Sequence, residues 1–199
     1  MKKIGIFGGS FNPVHKGHIS LAENAMKKLE LDKIIIVPAN IPPHKRCDDY
    51  ADGDDRFEMC RLAFENIQGF EVSDWELSRN DISYTYNTVM HFIRKYPECQ
   101  LYLMVGSDMF LSFDTWYRYE DILANAVLTV VSRETDDRFL LEEKKSCLEK
   151  YGRIILLNTD PVVISSTEIR KSIKNHRFFS CYLSEKVVQY IKQKKLYYE

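Results

Sequence analysis

The chain has 199 residues, 45% hydrophobic and 29% charged, with 28 Lys plus Arg against 29 Asp plus Glu. Such a length predicts one domain with a sizeable core over residues 1–199, and a net charge of -1 excludes a nucleic-acid surface over the whole molecule while leaving a local phosphate pocket free to be basic. Five widely spaced cysteines with no CxxC exclude a disulfide framework or zinc ribbon, and no apolar run reaches the length of a signal-peptide core or a membrane span, so a reducing cytoplasm is expected.

The apolar run 4–7 predicts a buried strand, and Ile19, Ala22, Ala25, Met26 and Leu29 fall at helical spacing after it. Between them lies GGSFNPVHKGH, residues 8–18. Gly8 and Gly9 permit positive φ or close backbone approach, Pro13 stiffens the turn, and His15 and His18 fall where the helix begins. Unpaired amides and the positive end of the helix dipole gather there, so two imidazoles three residues apart suit a phosphate. Helix capping is the plainer reading of either histidine alone; a metal site lacks Cys or carboxylate at ligand spacing nearby.

Residues 34–37 form a second apolar run, which makes the opening a βαβ unit of a parallel sheet, with ligands expected at the carboxyl ends of its strands. PANIPPHK follows, residues 38–45, with His44 and Lys45 able to reach a phosphate, then an acidic loop. Asp55 is a candidate cap for a helix burying Phe57, Cys60, Ala63, Phe64 and Ile67. Residues 70–73 predict a third strand, and Thr85, a candidate cap, opens a helix through Thr88, Val89, Phe92 and Ile93.

Residues 101–105 predict a strand ending in Gly106, Ser107 and Asp108, where the carboxylate can accept from a ribose diol or cap a helix beginning near Met109. Trp116 reads as core or as a stacking surface for a heterocycle. Residues 127–131 and 154–157 complete six strands around a charged helix, 139–150. In ISSTEIR, residues 164–170, Ser165 and Glu168 fit a capping box, whereas Ser166, Thr167 and Arg170 at a second helix N-terminus suit a triphosphate tail. Ser184 is expected to cap a last helix through Lys195.

The order GGSFNPVHKGH, PANIPPHK, SYT, MVGSD, TW and ISSTEIR resembles the nicotinate-nucleotide adenylyltransferase family of HxGH nucleotidyltransferases over nearly the whole chain. The resemblance implies an α/β fold, a Rossmann-like doubly wound parallel sheet with a C-terminal helical cap. It implies adenylyl transfer from ATP to nicotinate mononucleotide with Mg2+, giving nicotinate adenine dinucleotide and pyrophosphate in NAD biosynthesis. His15 and His18 would act as donors to the α- and β-phosphates, with Lys45 and Arg170 completing the charged set. Gly8, Gly9, Ser10, Phe11, Gly17, Gly106, Asp108, Ile164, Ser165, Ser166 and Thr167 would hold ATP. Asn40 and His44 would face the mononucleotide phosphate, and Tyr84, Thr85 and Trp116 the pyridine ring. No nucleic acid or membrane partner is implied, and a homo-oligomer is compatible with the chain.

Asn12 stands where the family often has Asp, and Asp81 and Ile82 where it often has Gly and Pro. An inward Asp81 carboxylate would repel the nicotinate carboxylate, which keeps nicotinamide mononucleotide open as acceptor. The same chemistry on phosphopantetheine fits PPHK, SYT and TW less well. A non-catalytic nucleotide sensor remains an alternative; an NAD-dependent oxidoreductase would need a GxGxxG, and the chain has neither that nor a Walker A sequence.

Overall fold

The computed structural model describes residues 1–40, 50–79, 82–132, 138–158 and 164–198. Its strands are β1 (Lys3–Gly9), β2 (Lys33–Pro38), β3 (Phe70–Val72), β4 (Gln100–Gly106), β5 (Val127–Ser132) and β6 (Ile154–Asn158). They form one six-stranded sheet in the order β3-β2-β1-β4-β5-β6, every neighbour parallel. Strand order reverses between β1 and β4, so the crevice past their carboxyl ends is the switch point where open α/β sheets bind ligands.

The central strands are largely apolar because helices cover both faces. Phe7, Ile34, Ile36, Tyr102 and Met104 pack on one side; Ile4, Ile6, Ile35, Val37, Leu101, Leu103 and Val105 pack on the other. Alternation along each strand sorts them. The first side is covered by α1 (Lys16–Leu29), α2 (Gly53–Phe64), α7 (Ser166–Lys174) and α8 (Glu185–Lys194). The second is covered by α3 (Thr85–Lys95), α4 (Ser107–Leu111), α5 (Tyr119–Asn125) and α6 (Arg138–Leu148). The expected helical cap is thus α7 and α8, whose Ile169, Ile173, Val187, Val188 and Ile191 close the first side.

Several caps differ from expectation. α2 starts at Gly53 behind Asp52, because Asp54 and Asp55 then both lie in its first turn, where the dipole favours carboxylates. Asp55 instead accepts from the Tyr190 hydroxyl at 2.8 Å. Tyr84, not Thr85, holds the cap position of α3, and α4 begins at Ser107, so Asp108 lies inside its first turn. Ser165 stands at the α7 cap without a side-chain bond, and Glu168 pairs with Lys171 at 3.2 Å rather than turning back, so neither half of the capping box forms. Ser184 holds the cap position of α8, yet its hydroxyl is buried without a partner. Helix α5 has no counterpart in the sequence reading; its seven residues are too short for apolar spacing to declare itself.

Candidate active site

The chain leaves β1 through a turn that aims α1 at the switch point. Neither Gly8 nor Gly9 has positive φ; Phe11 does, at 45°. The glycine requirement lies in close approach, since a Cβ on Gly9 would stand 3.1 Å from the Phe11 ring. That ring is buried and meets Phe7 edge-on, with centroids 5.4 Å apart, and His18 at 5.1 Å. The aromatic floor thereby supports the imidazole.

His15 caps α1 and is buried, while His18 is partly exposed one turn in. Their rings lie 3.7 Å apart at 31°. The His15 backbone N–H donates to His18 Nδ1 at 3.2 Å, so the neutral imidazole carries its proton on Nε2. Capping and anion recognition are therefore compatible: one ring nitrogen closes the helix and the other remains a donor. Gly17, buried in the same turn, adds no side chain between them.

Helix α7 brings a second N-terminus to this turn. Ser166 Oγ donates to the Pro13 carbonyl at 3.0 Å, and Arg170 Nη1 donates to the Asn12 carbonyl at 2.8 Å. Ser165 and Thr167 are exposed and Ile164 half-buried at the same end. Two sets of helix-terminal amides, two imidazoles and a guanidinium consequently converge, a strongly anion-seeking arrangement. At the end of β4, exposed Asp108 folds back over Gly106, where an added Cβ would stand 2.7 Å from its carboxylate oxygen. Its exposed carboxylate can accept from a diol.

On the β2 side, the Asn40 backbone N–H donates to Ser83 Oγ at 3.0 Å and its amide to the Arg79 carbonyl, so Asn40 anchors the SYT stretch. Tyr84 meets Tyr117 with centroids 4.9 Å apart, and Trp116 packs on Phe113 at 4.9 Å. Thr85, half-buried, opens α3. A cleft of about 290 Å³ lies beside this stretch, lined by residues that include Trp75, Tyr86, Asn87 and His91. His91 is held below its usual value by burial first, then by Lys95, Arg79 and Arg94. His44, Lys45 and Asp81 lie outside the described residues.

A cytidylyltransferase-like family model matches residues 6–172. A chain from Clostridium tetani named "Probable nicotinate-nucleotide adenylyltransferase" is 38% identical over 199 residues, covering 99% of this chain and all of that one. A relative of the same name from Listeria monocytogenes is 38% identical over 98% of this chain and 97% of its own length. The chain belongs to the nicotinate-nucleotide adenylyltransferase family. Likeness to the Plasmodium falciparum nicotinic acid mononucleotide adenylyltransferase complexed with NaAD is one of fold, with a TM-score of 0.80, 21% identity and coverage of 99% and 98%.

Within this nicotinate-nucleotide adenylyltransferase scaffold, a deeply buried charge escaped the sequence reading. Arg56 is 1% exposed, and its guanidinium donates to the carbonyls of Ala51 (2.9 Å), Ser10 (3.0 Å), Ala39 (2.6 Å) and Asn40 (3.4 Å). It stacks 4.7 Å from the Tyr50 ring. Burial pulls it below the usual arginine value, and nearby Tyr50, Cys60, Tyr197 and Asp52 oppose that shift. Arg56 thus ties the ends of β1 and β2 to the start of α2. Its place on the Met59–Cys60–Ala63 face of α2 was the available signal.

Proposed function

We propose that this chain transfers the adenylyl group of ATP to the phosphate of nicotinate mononucleotide, releasing pyrophosphate and forming nicotinate adenine dinucleotide. The observation that carries the reading is the meeting of the α1 and α7 N-termini, tied through Ser166–Pro13 and Arg170–Asn12, around the His15–His18 pair. The mononucleotide phosphate is already ionised, so it attacks the α-phosphorus without a general base. The bond from that phosphorus to the bridging oxygen breaks, and pyrophosphate leaves. No covalent intermediate on the protein is needed.

The side chains supply position and charge. His18, through Nε2–H, and His15 neutralise charge on the α- and β-phosphates; Arg170 and the α7 end (Ile164, Ser165, Ser166, Thr167) hold adenine and the departing phosphates. Gly8, Gly9, Ser10, Phe11 and Gly17 underlie the nucleotides, and Asp108 beside Gly106 binds the adenosine ribose. Lys45, with His44 and Asn40, faces the acceptor phosphate, while Tyr84, Thr85 and Trp116 surround the pyridine ring. Mg2+ arrives on the ATP phosphates as part of the substrate. Residues 1–199 act as one nucleotidyltransferase domain in a reducing cytoplasm.

The test is pyrophosphate release with MgATP and, separately, nicotinate mononucleotide, nicotinamide mononucleotide or phosphopantetheine. Rapid release with the nicotinate compound and at least about tenfold less with the others is expected. Equal rates with the amide would overturn the acceptor assignment. ATP binding without release in any mixture would overturn catalysis and leave a sensor.

A further inference from the structure

Asn12 is a buried junction in the turn between β1 and α1, at 3% exposure. Its side-chain Oδ1 accepts two hydrogen bonds, from the Ala51 backbone N–H at 3.1 Å and from the Tyr197 hydroxyl at 2.7 Å. A backbone N–H can only donate, which settles that the amide oxygen faces this junction. The Asn12 carbonyl meanwhile accepts from Arg170 Nη1 at 2.8 Å. Four segments therefore meet on one residue: the HxGH turn, the approach to α2, helix α7 and the stretch beyond α8.

That last stretch is turned inward by its backbone. Lys195 closes α8 with φ 53°, the Leu196 N–H returns to the Ile191 carbonyl at 3.1 Å, and Tyr197 takes φ 67°. Leu196 and Tyr197 pack against the core on the α1–α2 side of the sheet. Burial raises the Tyr197 phenol well above its usual value, against the pull of Arg170 and Arg56, which keeps it a protonated donor.

We propose that Tyr197 is a positioning residue for adenylyl transfer, acting through Asn12 to hold Arg170 and the His15–His18 turn in register. The proposal rests on the reading of function above. Arg170 reaches the phosphates from a carbonyl that Tyr197 helps to fix, and a displacement of the donors by a fraction of an ångström lowers turnover more than ground-state affinity.

Steady-state kinetics and thermal unfolding of Tyr197→Phe, Asn12→Ala and the double variant test it, each assayed well below its Tm. Tyr197→Phe keeps the ring and its packing; expected are a fall in kcat of about tenfold, KM for both substrates within about twofold, and a Tm drop of no more than about 4 °C. The double variant should turn over no more slowly than Asn12→Ala, because the phenol acts through that amide. If Asn12→Ala does not fold, Asn12→Asp replaces it: a carboxylate accepts the same two donors, so kcat should stay within about threefold and Tyr197→Phe should again cost about tenfold in that background. A Tyr197→Phe variant with wild-type kcat, losses that multiply when Tyr197→Phe is combined with Asn12→Ala, or no loss from Tyr197→Phe in the Asn12→Asp background would overturn the positioning role. Failure of the function itself is separate, because it shows as wild-type inactivity before any variant is made.

Discussion

The Nδ1 atom of His18 accepts the His15 N–H and so fixes the ring, which leaves Nε2 to carry the donor proton. Replacing His18 with Ala removes both bonds at once, but they report on different measurements. Loss of the helix-capping acceptor is worth about 1 kcal/mol of stability, whereas loss of a donor to developing charge is worth about 100-fold or more in kcat. His18→Ala is therefore expected to melt a few degrees lower, to bind ATP within about threefold of wild type by calorimetry, and to lose at least about 100-fold in kcat. A variant that loses only ATP affinity would refute the transition-state role. The spacing of the two histidines and their position behind a strand were legible from residues 4–18 alone. The ring contact and the tautomer were not, because they depend on the left-handed Phe11 that seats the aromatic floor.

Among the elements, the turn before α3 carries the proposed acceptor residues and has its own internal brace. Thr88 Oγ1, on the buried side of α3, donates to the Glu76 carboxylate, and Asn40 grips the same turn through Ser83 Oγ and the Arg79 carbonyl. Thr88→Val keeps the shape and removes the hydroxyl, leaving Glu76 one donor short in a buried place. A net hydrogen bond of about 1 kcal/mol predicts a KM for nicotinate mononucleotide about fivefold higher, with KM for ATP unchanged within about twofold. Equal rises in both KM values would mean that the brace serves the whole site rather than the acceptor side. Thr88 was legible as a helix-face residue, but its partner lies twelve positions back in a turn with no periodic pattern. Arg56 was hard to read for a related reason: a charged residue on an apolar face is ordinarily taken as solvent-facing, and only the assembled ends of β1 and β2 add three carbonyls to that of Ala51, five positions back.

At the scale of the whole molecule, the reversal of strand order between β1 and β4 explains why distant stretches of sequence meet at one crevice. β1 delivers His15 and His18, β4 delivers Asp108, and α7 returns over the first turn to add Arg170 from 158 residues away. The strands were legible because helices on both faces make them continuous apolar runs, and motif order pointed to the same sheet. The Asn12–Tyr197 contact spans 185 residues and no local pattern announces it. The central claim is that this assembly moves the adenylyl group directly between two bound anions. Its most direct test is the stereochemical course of the reaction with ATP made chiral at the α-phosphorus by sulfur substitution and nicotinate mononucleotide as acceptor. A single in-line displacement predicts inversion at that phosphorus in the dinucleotide product. Retention would require two displacements through a covalent adenylyl-protein intermediate and would contradict the account.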